Sequence, residues 1–153
     1  MNIRPAVESE AAALSELVMR AKSHWGYSTE ALERWRPELA VSPENIRERP
    51  TFVAVVDTEI VGFYSLRPSQ SAWELDNLWV LPKFMHQGIG RALLAHALAT
   101  AARGGASEIT VDADPNAESF YLECGAIKRG EVPAPIAGQP KRVRPQLVFV
   151  QPA

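Results

Sequence analysis

The stretch Val80-Leu81-Pro82-Lys83-Phe84-Met85-His86-Gln87-Gly88-Ile89-Gly90-Arg91-Ala92-Leu93-Leu94 constrains this chain more than any other. An apolar strand ends at a proline, the chain turns, and a glycine-bearing loop enters a helix. Leu93, Leu94, Ala97, Leu98 and Ala101 recur at helical spacing and form one apolar stripe. A loop that enters a helix this way aims successive backbone N–H groups at one spot. The helix dipole adds partial positive charge there, which favours an anion such as a phosphate. Gly88 and Gly90 allow close approach of a ligand and backbone angles that other residues avoid.

Three phosphate loops compete for this segment. A P-loop needs Lys-Ser/Thr after its second glycine, whereas Gly90 is followed by Arg91-Ala92. A dinucleotide fingerprint needs a third small residue where Leu93 stands, and no βαβ unit opens the chain. The remaining option fits better. With Val80-x-Pro82 and Gly88-x-Gly90, the segment resembles the pyrophosphate loop of the GNAT superfamily of N-acetyltransferases, which use acetyl-coenzyme A. Met85 stands where that family usually has Arg or Gln, but it still supplies a main-chain N–H. The resemblance implies that Leu78, Trp79, Val80, Met85, His86, Gln87, Gly88, Ile89, Gly90 and Arg91 line the coenzyme.

A second segment agrees. Ala117, Phe120, Tyr121 and Gly125 match the spacing of the family's Asn-x-x-Ala-x-x-Phe-Tyr-x-x-x-Gly-Phe helix, with Ala126 replacing the final Phe. Asp114 occupies the Asn position and Asn116 lies two residues on; either is a candidate for contact with coenzyme A. Asp114 can also cap the helix, with Pro115 in its first turn and Gly125 as a left-handed stop. The likeness is good over residues 50–130 and looser in the N-terminal third.

The resemblance implies a chemistry. The strand before the glycine loop bulges and splays from the next parallel strand, and the pantetheine arm lies in the gap. A backbone N–H around Leu78 to Val80 polarises the thioester carbonyl. Tyr121 is the candidate acid for the departing thiolate; a half-buried core aromatic is its plainer reading. Glu74 and Asp76, two apart on an extended strand, share one face. Glu74 falls where family members carry a carboxylate base, and partial burial would bring its pKa toward the working pH. The alternatives are a water chain to bulk solvent, or two carboxylates that face solvent or pair with Arg. For the acceptor, His24-Trp25-Gly26-Tyr27, Trp73 and Trp79 offer aromatic surface for an amine with an apolar or cationic group. Lys141-Arg142-Val143-Arg144 reads as a solvated basic turn, or as a grip on an acidic group.

The rest of the chain is compatible with this. Its 153 residues suit a single acetyltransferase domain over 1–153. A net charge of −2 recruits no nucleic acid. The lone Cys124 excludes an internal disulfide, fits a reducing compartment and reads as a small buried hydrophobe. With no leader-like N-terminus and no apolar run near bilayer length, the expected location is the cytoplasm, away from membranes. Expected strands are 2–6, 51–56, 60–66, 71–80, 107–112, 127–129 and 146–150. Expected helices are 8–22 (capped by Ser9), 28–39 (Leu32 and Trp35 inward), a turn from Ser42, 88–103 and 115–124. The Pro-rich 132–145 reads as an ordered loop. The expected fold is α/β: a mixed, mostly antiparallel central sheet, helices on both faces and a splayed parallel strand pair. The expected activity is acetyl transfer from acetyl-coenzyme A to a primary amine on a small molecule, by direct attack, with no metal. Protein N-terminal or lysine acetylation, and a non-catalytic coenzyme-binding module, are the alternatives. The last two strands and the Pro-rich loop offer a homodimer face.

Overall fold

A computed structural model describes residues 1–152. The strands are β1 (Asn2–Pro5), β2 (Thr51–Val56), β3 (Glu59–Arg67), β4 (Ala72–Val80), β5 (Glu108–Asp112), β6 (Ile127–Pro133) and β7 (Val143–Val150). They make one mixed sheet in the order β1-β2-β3-β4-β5-β7-β6. Helices α1 (Ala11–Ser23), α2 (Thr29–Leu39), α3 (Pro43–Glu48), α4 (Ile89–Arg103) and α5 (Glu118–Glu123) complete the fold. The β1–β2, β2–β3, β5–β7 and β6–β7 ladders are antiparallel, whereas β4 and β5 are parallel. The parallel pairing is short. It joins Ala72 to Glu108, Trp73 to Ile109 and Glu74 to Thr110, then stops although β4 runs on to Val80 and β5 to Asp112. This is the expected splayed pair. None of the helices among the described residues is long and apolar enough to cross a membrane.

Several boundaries depart from the sequence reading. Residues 8–10 form a 3-10 turn ahead of α1, and Ser9 does not cap it; the Glu10 carboxylate instead accepts from the Val7 N–H at 2.9 Å. Arg4 donates to that carboxylate at 2.7 Å and holds its pKa below the usual value, so this stabilisation exists at neutral pH and is lost on acidification. α2 starts where expected, with the Ser28 side chain as its cap, but Ala31 is the buried residue, with Leu32 and Trp35 half-buried. The expected helix 115–124 is a 3-10 turn (Pro115–Ala117) followed by α5, and Asp114 is the turn's cap. β6 and β7 reach into the Pro-rich segment, leaving 134–142 as the loop. The prolines are tolerated by position. Pro133 ends edge strand β6, and Pro145 lies beyond the Asp112–Gln146 pair that closes the β5 ladder.

The chain divides into two compact units, Met1–Leu66 with Asn77–Ala97, and Arg67–Asp76 with Leu98 onward. In the first unit, Leu14, Leu17 and Val18 of α1 pack with Ile46, Val53, Phe63 and Leu81. Phe63 joins this cluster while Tyr64, next along β3, hydrogen-bonds His96 of α4 at 2.7 Å. Successive strand residues face opposite ways, so α1 and α4 cover opposite faces of the sheet. Gly62 is required by close approach: a Cβ there would lie 2.7 Å from the Trp79 carbonyl oxygen. Gly62→Ala is therefore expected to cost about 1–3 kcal/mol through overpacking, read as a lowered denaturant midpoint at constant m-value. In the second unit, Ile109, Val111, Leu147 and Phe149 are buried, and the Trp73 ring fills the space beside Gly104.

Candidate functional site

The glycine loop belongs to the first unit. A 3-10 turn over Pro82–Phe84 leads from β4 to Met85, and α4 begins at Ile89. Left-handed angles fall at His86 (φ 63°) and Gly88 (φ 85°), not at Gly90, which is already helical. This corrects the expectation for Gly90. The Ala92 N–H donates to the Gly88 carbonyl at 3.0 Å and opens the helical ladder. The N–H groups just before it are those a helix leaves unbonded at its start. The first turn carries no acidic residue, and Arg91 there is exposed. A Cβ built on Gly88 would meet nothing within 4 Å. A 15-residue helix with an open, carboxylate-free N-terminus fits a diphosphate. Leu78, Trp79 and Val80, on the part of β4 leading into this loop, are all half-buried, as is Met85; His86 and Gln87 are exposed and Ile89 is buried.

The expected acceptor aromatics turn out otherwise. The Lys22 ammonium lies 4.5 Å from the ring centre of Trp35, 5.3 Å from that of Tyr27 and 5.9 Å from that of Trp79. Lys22 is only 8% exposed. Tyr27 and Trp79 therefore hold the protein's own cation, an arrangement the sequence did not announce. Trp79 also donates its indole N–H to Asn77, which donates to Ser65. His24 and Trp25 stay exposed, edge to face at 5.0 Å, next to Gly26.

The titratable candidates lie in the second unit. Glu74 Oε1 sits 3.5 Å from Arg67 Nη1, and Asp76 Oδ1 sits 3.3 Å from Arg67 Nη2. The carboxylates do share a face, with an arginine between them. Burial raises the pKa of Glu74 and Arg67 opposes that rise. Tyr121 is 6% exposed, edge-on to Phe120 at 5.2 Å and to Phe149 at 6.4 Å. Burial pushes its phenol pKa well above the ordinary value, so the group keeps its proton. Cys124, expected to be buried, is half-buried beside it at the end of α5, where Gly125 takes φ 104°.

Asp114 and Asn116 face each other. The Asp114 carboxylate accepts from the Asn116 backbone N–H at 2.8 Å and from its side-chain amide at 2.9 Å. Arg142 Nη2 lies 3.6 Å from Asp114, their side chains 4% and 10% exposed. Arg142 also donates to the Ala134 carbonyl at 3.0 Å. The solvated basic turn is thus corrected: Arg142 is an inward strut of loop 134–142, while Arg144 pairs with Asp112 at 2.8 Å on the exposed side.

The fold recurs in solved structures. A GCN5-related N-acetyltransferase from Rhodopseudomonas palustris superposes with a TM-score of 0.82 at 22% identity, covering 98% of this chain and 95% of that one. PaiA N-acetyltransferase from Thermoplasma acidophilum, solved with coenzyme A, gives 0.81 at 22% identity over 98% of both chains. The yncA protein of Salmonella typhimurium, solved with its cofactor acetyl-CoA, gives 0.71 at 19% identity over 98% and 93%. No curated protein sequence matches the chain significantly. At these identities the superpositions establish the fold. The sequence profile of the Acetyltransferase (GNAT) family matches residues 12–126, a span that contains the glycine loop, the splayed strand pair and the Tyr121 helix. The chain belongs to the acetyltransferase (GNAT) family.

Proposed function

We propose that this acyltransferase moves the acetyl group of acetyl-coenzyme A to a primary amine on a small molecule. The start of α4 carries the reading: backbone N–H groups from His86 to Gly90 ahead of the helical ladder, left-handed angles at His86 and Gly88, and no carboxylate in the first turn; the Met85 N–H, expected to join them, donates instead to the Pro82 carbonyl at 3.2 Å. Those amides hold the diphosphate. The β4 backbone at Leu78 to Val80, past the end of the parallel ladder, pairs with the pantetheine arm and polarises the carbonyl. Glu74 takes one proton from the ammonium and frees the nitrogen lone pair. The amine attacks the thioester carbon directly, and the tetrahedral adduct collapses with loss of the C–S bond. Tyr121 protonates the thiolate and recovers a proton from the new amide nitrogen; Glu74 releases its proton to water. Acetamide, free thiol and one proton result, and the balance closes.

PaiA and yncA, solved with coenzyme A and acetyl-CoA respectively, support the choice of co-substrate. Asp114 and Asn116 shape the turn that leads to Tyr121, with Asp114 Oδ1 accepting from Asn116, and remain the candidates for a side-chain contact with the coenzyme. Edge strand β6 is the element through which a homodimer would pair. The test is calorimetry with acetyl-coenzyme A, followed by thiol release against a panel of amines. Saturable binding and amine-dependent thiol release are expected. Binding with no thiol release from any amine would mark a non-catalytic module, and no binding at millimolar ligand would remove the proposal.

A further inference from the structure

One guanidinium spans two carboxylates on the same face of β4. Arg67 ends β3 and reaches back across residues 68–71, placing Nη1 3.5 Å from Glu74 and Nη2 3.3 Å from Asp76. An arginine fork is rigid and cannot be deprotonated in a protein, so it fixes both partners. It brings one positive charge to two negative ones. The two carboxylates, two residues apart and partly withdrawn from water, therefore repel each other, and holding one proton between them relieves the repulsion. Burial and the neighbouring Asp76 charge both favour the protonated form of Glu74, and Arg67 opposes them. Asp112 of β5 is the third charge that faces Glu74, and Arg144 pairs with it at 2.8 Å. An isolated base would need neither Asp76 nor Arg67.

We propose that Glu74, Asp76 and Arg67 work as one proton-holding unit, in which Glu74 accepts the proton of the incoming ammonium and Arg67 and Asp76 are positioning residues that set the pH at which it does so. The proposal rests on the reading of Glu74 as the base. It assigns a role to Arg67, which no family motif marks, and turns a carboxylate with no stated task into half of a pair.

The experiment combines two readouts on the full chain. The Glu74 side-chain carbon is titrated by NMR in the ligand-free protein, and the pH dependence of thiol release is measured with the best amine of the panel. Arg67→Gln removes the cation, so Glu74 titrates at higher pH and the acid limb of the rate profile moves up. Asp76→Asn removes the like charge, so both move down. Arg67→Lys, which keeps the charge, returns the limb toward the parent. Circular dichroism confirms that each variant is folded. Opposite displacements of the two variants, in both readouts, are the expected result. Titrations that stay in place while Glu74→Gln is inactive would overturn the unit and leave the base assignment standing. A Glu74→Gln variant that turns over like the parent would overturn both.

Discussion

Tyr121→Phe is expected to lower turnover about 10²-fold, the low end of general acid contributions, while acetyl-coenzyme A binds as before. The substitution removes one oxygen and nothing else. The ring keeps its edge-on contacts with Phe120 and Phe149, so packing is preserved. What is lost is a phenol that burial keeps protonated. A buried phenol with a raised pKa is a weak acid in water, but a thiolate leaving in the same dry surroundings is itself a stronger base. The proton then moves as the C–S bond breaks, not before. Single-turnover thiol release separates this step from product release, and calorimetry checks the affinity. Unchanged turnover would take Tyr121 out of the mechanism.

Arg142→Met is expected to cost about 3–5 kcal/mol of stability, the range for breaking a buried ion pair from one side. For a chain of this size that is a fall in Tm of roughly 10 °C. Met keeps an unbranched apolar stem, but the cation beside a nearly buried Asp114 is gone, and so is the donor to the Ala134 carbonyl. Adding Asp114→Asn should recover part of the loss. Asn removes the stranded charge and still caps the turn before α5. The double variant is thus more stable than Arg142→Met alone, and denaturant unfolding of the four-member cycle measures the coupling. A single-variant cost near zero, or strict additivity, would show that the pair is inert.

Much of this architecture can be read directly along the chain. The glycine loop and its helix, the helix starts at Ser28 and Ser42 and the stop at Gly125 all appear where local spacing put them. Their signals lie within four or five residues, the range over which caps and turn angles act. Where the local reading slipped, a longer-range partner intervened. Glu10 took the place of Ser9 because Arg4 steadies its carboxylate. β6 and β7 absorbed two prolines because each lies where no neighbour needs its N–H. His86 supplies a left-handed angle that glycine was expected to provide.

The candidate site divides along the same line. Residue types and spacing marked the glycine loop, the tyrosine and the two carboxylates. They could not show that Arg67 stands between Glu74 and Asp76, that Arg142 turns inward to Asp114, or that Lys22 fills the space among Tyr27, Trp35 and Trp79. The sequence alone determined the elements, their order and the family, because helix and strand periodicity and turn chemistry are encoded by near neighbours. Tertiary structure alone decided which charges meet and which are withdrawn from water. Pairing depends on strand register and on the face each side chain takes, and a slip of one residue exchanges the two faces.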